Sequence, residues 1–203
     1  MKKLLAACLG VSGLILTATP AIATPAIRPT YFSLPASAFP SPSTVIRSHV
    51  EPNRRIARDN VLHYGKSFAH EGRTTGYFME AVERRQSSPR SDTSYLVSVF
   101  PTSEQASSAF GEQNYYWNAQ ATHGGSAQVP LQIAYGDGDH AALYTVGLPT
   151  GVILTELLFA RGPIFVEVFQ KVYAAHPTPA EVRAFFDVAT SLDIIARGIL
   201  AGQ

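Results

Sequence analysis

Two glutamates, Glu156 and Glu167, lie in the stretch LTELLFARGPIFVEVF, one in each of two apolar runs joined through Arg161-Gly162. Short apolar runs around a glycine-containing connection predict a β-hairpin. A turn centred on Arg161-Gly162 sets Glu156 directly opposite Glu167. In that register Ile153, Thr155, Leu157 and Phe159 share a face with Ile164, Val166 and Val168, and that face belongs to the core. The glutamates fall on the second face, with Leu154, Leu158, Phe165 and Phe169. Directly opposed positions bring Cβ atoms to about 4.5–5.5 Å, where like charges repel. Three compensations are open. A basic side chain, Arg84, Arg85 or Lys171, sits between them and the pair is structural; or a cation binds; or one carboxyl keeps its proton, the arrangement an acid–base hydrolase uses. The apolar neighbours open another role. A sheet face left bare presents Leu158, Phe165 and Phe169 to a ligand or partner, since exposed apolar patches rimmed by charge mark binding sites. The alternative is that Tyr31 to Phe39 folds over it.

Other residue patterns point elsewhere. GDGDH, Gly136 to His140, offers Asp137, Asp139 and His140 as metal ligands, but without the closing glutamate of a calcium loop it reads first as a turn. In NYYWNAQATHGG, Tyr116 and Trp117 end a helix beside a glycine-rich loop and suit either core packing or sugar and peptide binding. HYGKS lacks the leading glycine of a phosphate loop, and HEGRT has Thr74 where a zinc protease needs its second histidine. The remaining histidines show no ligand spacing, and no G-x-S-x-G is present. No cofactor motif is found.

The elements that position these residues are legible in part. Val45 to Val50 reads as a strand and Asn53 to Leu62 as a short helix. GRTTGYFMEAVERR and TSYLVSVF read as neighbouring antiparallel strands around a polar loop, Gln86 to Asp92. Thr102 with Gln105 forms a capping box for a helix starting at Ser103, with Ala106, Ala109, Phe110, Gln113 and Trp117 on one side. THGGSAQVP reads as loop. LQIAYGDGDHAALYTV reads as a hairpin or sharply bent strand about Asp137-Gly138. A last helix has Thr178 as cap, Pro179 at its first position and Glu181 closing a capping box. Its apolar stripe is Val182, Phe185, Phe186, Ala189, Leu192, Ala196 and Ile199. The sum is an α+β domain: an antiparallel sheet of about five to seven strands with two main helices packed on one face.

The ends and the composition bound the function. Lys2 and Lys3, an apolar run from Leu4 to Leu16, and Ala21-Ile22-Ala23 predict a cleaved secretory signal over residues 1–23. Leu5-Ala6-Ala7-Cys8 is a competing, weaker match to a lipidation motif. Residues 24–44 hold five prolines and read as an extended linker before a domain at 45–203. Without Lys2 and Lys3 there are 14 basic and 15 acidic residues, so no basic excess attracts nucleic acid. The one cysteine, Cys8, leaves with the signal, which removes disulfides and thiol chemistry. No transmembrane segment is expected in the mature chain. These features describe an exported protein of periplasm, cell surface or medium. It is expected to be a non-enzymatic module for a small ligand or protein partner, with a hydrolase acting through Glu156 and Glu167 as the alternative. Its ligand and oligomeric state are not written in the sequence.

Overall fold

The computed structural model describes residues 26–39, 42–53, 72–85, 88–124, 126–129, 140–147, 150–174 and 176–202. Seven strands form one sheet: β1 (Ser43–Val50), β2 (Thr75–Arg85), β3 (Ser88–Val99), β4 (Ser126–Val129), β5 (His140–Gly147), β6 (Ile153–Arg161) and β7 (Ile164–Val172). Their order is β1-β2-β3-β7-β6-β5-β4, and every neighbouring pair is antiparallel. Helix α1 (Ser103–Gly124) links the two meanders and α2 (Pro179–Ala201) follows β7.

The α+β fold with its antiparallel sheet and two main helices is as the sequence predicts; the layering is not. The two helices lie on opposite faces. Phe185, Val188, Ala189, Leu192 and Ala196 of α2 pack on the face of Tyr95, Leu157, Phe159, Val166 and Val168. Ala106, Ala109, Phe110 and Trp117 of α1 pack on the other, over Leu96, Leu158, Ala160 and Phe165. The reason is that both faces of β6 and β7 are apolar, and a sheet apolar on both sides needs a layer on each. The bare face expected over Leu158 and Phe165 therefore does not exist: both are fully buried, with Phe169 half-buried beside them.

Residues 29–39 are also more than an extended linker. They form two 3-10 turns, Pro29–Phe32 and Ala36–Ala38, and send Phe32, Leu34 and Phe39 into the α2-side core. Tyr95 anchors them: its hydroxyl donates to the Phe32 carbonyl at 2.5 Å and accepts from the Leu34 N–H at 3.2 Å. Tyr31 is half exposed.

The Thr178 capping box is present, with the Thr178 hydroxyl accepting from the Glu181 N–H at 3.3 Å and the Glu181 carboxylate from the Thr178 N–H at 2.6 Å. Thr102 caps α1 by accepting from Gln105 N–H at 3.3 Å. Ser126–Val129, read as loop, is an edge strand held by its ladder to β5. Ser88 to Asp92, read as loop, belongs to β3. The helix expected at 53–62, the Asp137-Gly138 turn and the signal at 1–23 lie outside the described residues, apart from Asn53.

Candidate functional site

The β6–β7 hairpin turns on Gly162-Pro163, one residue later than expected. Arg161 pairs with Ile164, Leu158 with Glu167, and Glu156 with Phe169. Gly162 has φ +49°, the positive value that the first central residue of a type II′ turn requires, and Pro163 fits the negative φ of the second. This shift moves each pairing by two residues, so it keeps both glutamates on one face but makes them diagonal rather than opposite. Diagonal neighbours remain within reach of long side chains.

That face lies under α1. The inward side of α1, read from 3.6-residue spacing, is correct for all five residues, and Gln113 is its one polar member. Gln113 Nε2 donates to Glu156 Oε1 at 3.3 Å. Trp117 also lies beside the Glu156 carboxyl and favours its charge, although its indole N–H makes no hydrogen bond of standard geometry. Tyr144 of β5 stacks on Trp117 with centroids 6.0 Å apart. Burial pushes its hydroxyl up to about 12, with Glu156 adding to the shift. That hydroxyl donates to the side-chain carbonyl of Asn114.

Arg73, which nothing in the sequence singled out, stands at the other end. It is 3% exposed, just before β2. Its Nε donates to Ser98 Oγ at 2.8 Å, and Nη1 donates to the Glu51 carbonyl at 3.0 Å and Asn53 Oδ1 at 2.6 Å. Its guanidinium stands against Gly76, where a Cβ would lie 2.0 Å from Nη2. Desolvation lowers its pKa to about 10, against the opposing pull of Glu51 and Glu167.

The two carboxyls are 1% and 0% exposed. Glu156 is pushed well above the ordinary carboxylate range, first by desolvation and then by Glu167, with Gln113 and Trp117 opposing. Desolvation pushes Glu167 up to about 8, and the Arg73 charge only partly offsets it. Arg84 and Lys171, expected to neutralise the pair, point to solvent. Six buried atoms in this layer have no hydrogen-bond partner among the described residues: Glu156 Oε2, both oxygens of Glu167, Gln113 Oε1, Trp117 Nε1 and Arg73 Nη2. Buried polar atoms are nearly always paired, and each orphan costs about 1–3 kcal/mol. Four carboxyl and amide oxygens and two N–H groups gathered in one layer form the mould of something polar.

The other expected site residues are scattered. Tyr116 is half-buried and packs edge-on to Trp117 at 5.5 Å. Asp137 and Asp139 lie outside the described residues, while His140 stacks on Phe110 at 5.1 Å. Among the described residues no three His, Cys, Asp or Glu side chains gather as a metal site, and no helix is long and apolar enough to cross a membrane. No family model and no curated protein matches the chain. A solved structure similar to it is the extracellular domain of PknH from Mycobacterium tuberculosis, 12% identical, with a TM-score of 0.49, covering 75% of this chain and 85% of that one.

Proposed function

We propose that the protein is an exported, non-enzymatic binding module that takes a small polar ligand into the layer between α1 and the sheet, at Arg73, Gln113, Trp117, Glu156 and Glu167. The observation that carries this reading is the set of six unpartnered buried atoms. A stable scaffold gains nothing by leaving three carboxyl oxygens and a guanidinium nitrogen unsatisfied in its interior. A ligand that pairs them recovers that cost, which is why such atoms favour a site over a packing role. Export is read from the N-terminal segment.

The hydrolase alternative draws less support from the same geometry. An acid–base pair needs environments that drive its two pKa values apart, leaving one group ionised. Here desolvation drives both upward rather than apart, so nothing in their surroundings marks one as the acid and the other as the base. Leu158 and Phe165 contribute the apolar floor of the layer rather than a surface contact, and Phe169 and Tyr116 stand at its edge.

The test uses the one tryptophan of the chain, which stands in the site. Saturable change in Trp117 fluorescence on titrating polar amines, sugars, amino acids and short peptides is expected for at least one class, with a matching rise in melting temperature. Silence across all classes, with ordered water filling the layer at high resolution, would contradict the reading.

A further inference from the structure

The order of the orphaned atoms along the layer narrows the ligand. Arg73 is bonded to Ser98, whose strand partner is Phe165; Glu167 lies two residues further along β7, opposite Leu158; Glu156 lies beyond it, opposite Phe169, and takes the Gln113 hydrogen bond. The four acceptor oxygens, on Glu167, Glu156 and Gln113, therefore occupy the middle and the Gln113 side. The two N–H groups stand apart, Arg73 Nη2 on the Ser98 side and Trp117 Nε1 on the side of Tyr144, the strand partner of Glu156 on which its ring stacks. A ligand complementary to this row carries hydrogen-bond donors and positive charge at its centre and acceptor oxygens beside them.

Resting on the binding reading above, we propose that the ligand is a small organic cation, a primary ammonium flanked by hydroxyl or carbonyl oxygens. The ammonium sits between Glu156 and Glu167, donating to Glu156 Oε2, a Glu167 oxygen and Gln113 Oε1. The flanking oxygens accept from Arg73 Nη2 and Trp117 Nε1. Three N–H bonds meet three acceptor groups, and both end donors are used. A metal ion matches the row less well. It has no use for the two N–H donors, a guanidinium charge stands beside its site, and two carboxylates with one amide are a thin ligand set. A neutral sugar leaves the central carboxyls without the charge that would ionise them.

Binding has a proton balance. The ammonium arrives charged, and one carboxyl gives its proton to solvent to become the counter-ion. The groups facing that carboxyl among the described residues are Glu156 or Glu167 in turn, Arg73 backed by Glu51, and Tyr144; Gln113 and Trp117 of α1 are neutral. Glu167 gives up its proton near pH 8 in the free protein. Affinity therefore falls as pH drops from 8 to 6, by roughly tenfold per unit for one proton.

The experiment is isothermal titration calorimetry of the whole exported protein with ethanolamine, which carries the ammonium and one of the two flanking oxygens and stays charged across this range. It is run at pH 6, 7 and 8 in two buffers of different ionisation enthalpy, with ethylene glycol and calcium chloride as comparison probes. Glu167→Gln is titrated alongside after circular dichroism has shown it folded. The expected result is ethanolamine binding at least about tenfold tighter than ethylene glycol, release of about one proton at pH 6 falling to about half at pH 8, and loss of about tenfold or more in Glu167→Gln. Affinity independent of pH, or calcium or ethylene glycol binding in its place at the same glutamate, overturns the ammonium assignment and leaves a binding module standing. No binding by ethanolamine also overturns it. Failure of every polar class in the fluorescence titrations separately removes the binding reading.

Discussion

At the scale of single residues, Glu167 carries the clearest consequence. In the unfolded chain it ionises near the ordinary value of 4.5, and in the folded chain only near 8. Below pH 4.5 both states hold the proton and the group is neutral toward stability. Between the two values only the unfolded state ionises, so rising pH draws the equilibrium toward unfolding; above 8 the loss is complete. Glu167→Gln should thus melt close to wild type at pH 4 and clearly higher at pH 8, by on the order of a few kcal/mol in stability. Equal melting temperatures at pH 8 would show that the carboxyl is already satisfied. Gly76→Ala should act in the opposite direction. Its Cβ would stand 2.1 Å from the Val97 carbonyl as well as against Arg73, and such overpacking costs about 3 kcal/mol. Chemical denaturation measures it directly. The glutamates and Gln113 were legible because each interrupts an apolar face of known period. Arg73 was not, because it lies between elements and its partners come from distant segments, Glu51 and Asn53 on one side and Ser98 on the other.

At the scale of elements, both helices and every strand but the short edge strand β4 could be read, at least in part, from period and capping residues, whereas their layering depended on a choice the pattern leaves open. The apolar second face of β6 and β7 demanded cover, but sequence spacing does not say whether α1 or the proline-rich segment supplies it. The hairpin register slipped for a local reason: only Gly162 can take positive φ at the first central turn position. Helix α2 is tied to β6 by a buried pair, Arg161 Nε to Asp193 Oδ1 at 2.7 Å, with Arg197 Nη2 on Asp193 Oδ2 at 2.9 Å. Breaking such a pair from one side strands a buried charge. Asp193→Ala should cost about 3–5 kcal/mol, and the apolar double replacement Arg161→Met, Asp193→Leu should recover most of it. A double variant no more stable than the single one would mean that the pair holds the helix by geometry that apolar packing cannot supply.

At the scale of the whole molecule, the domain is a sheet between two unequal covers, α1 on one side and α2 with the segment from Pro29 to Phe39 on the other. Five prolines between residues 24 and 44 made the region look like a linker, because proline excludes regular helix and central strand. They do not exclude 3-10 turns that deliver aromatic side chains to a core. A chain starting at residue 42 should therefore lose the burial of Phe32, Leu34 and Phe39, each worth about 1.5–3 kcal/mol, and melt well below the longer chain. Export, by contrast, rests on the N-terminal pattern alone. Intact mass spectrometry of the secreted protein should find Thr24 first, whereas a lipid adduct on Cys8 would contradict signal cleavage after Ala23.

The most direct test of a polar-ligand site beneath α1 is the fluorescence of Trp117, titrated with the same panel of polar ligands in the wild type and in Glu167→Gln. A binding layer built on the glutamates predicts a saturable change in the wild type that is weakened by roughly tenfold or more in the variant. A saturable change of equal midpoint in both proteins, or none in either, would contradict it.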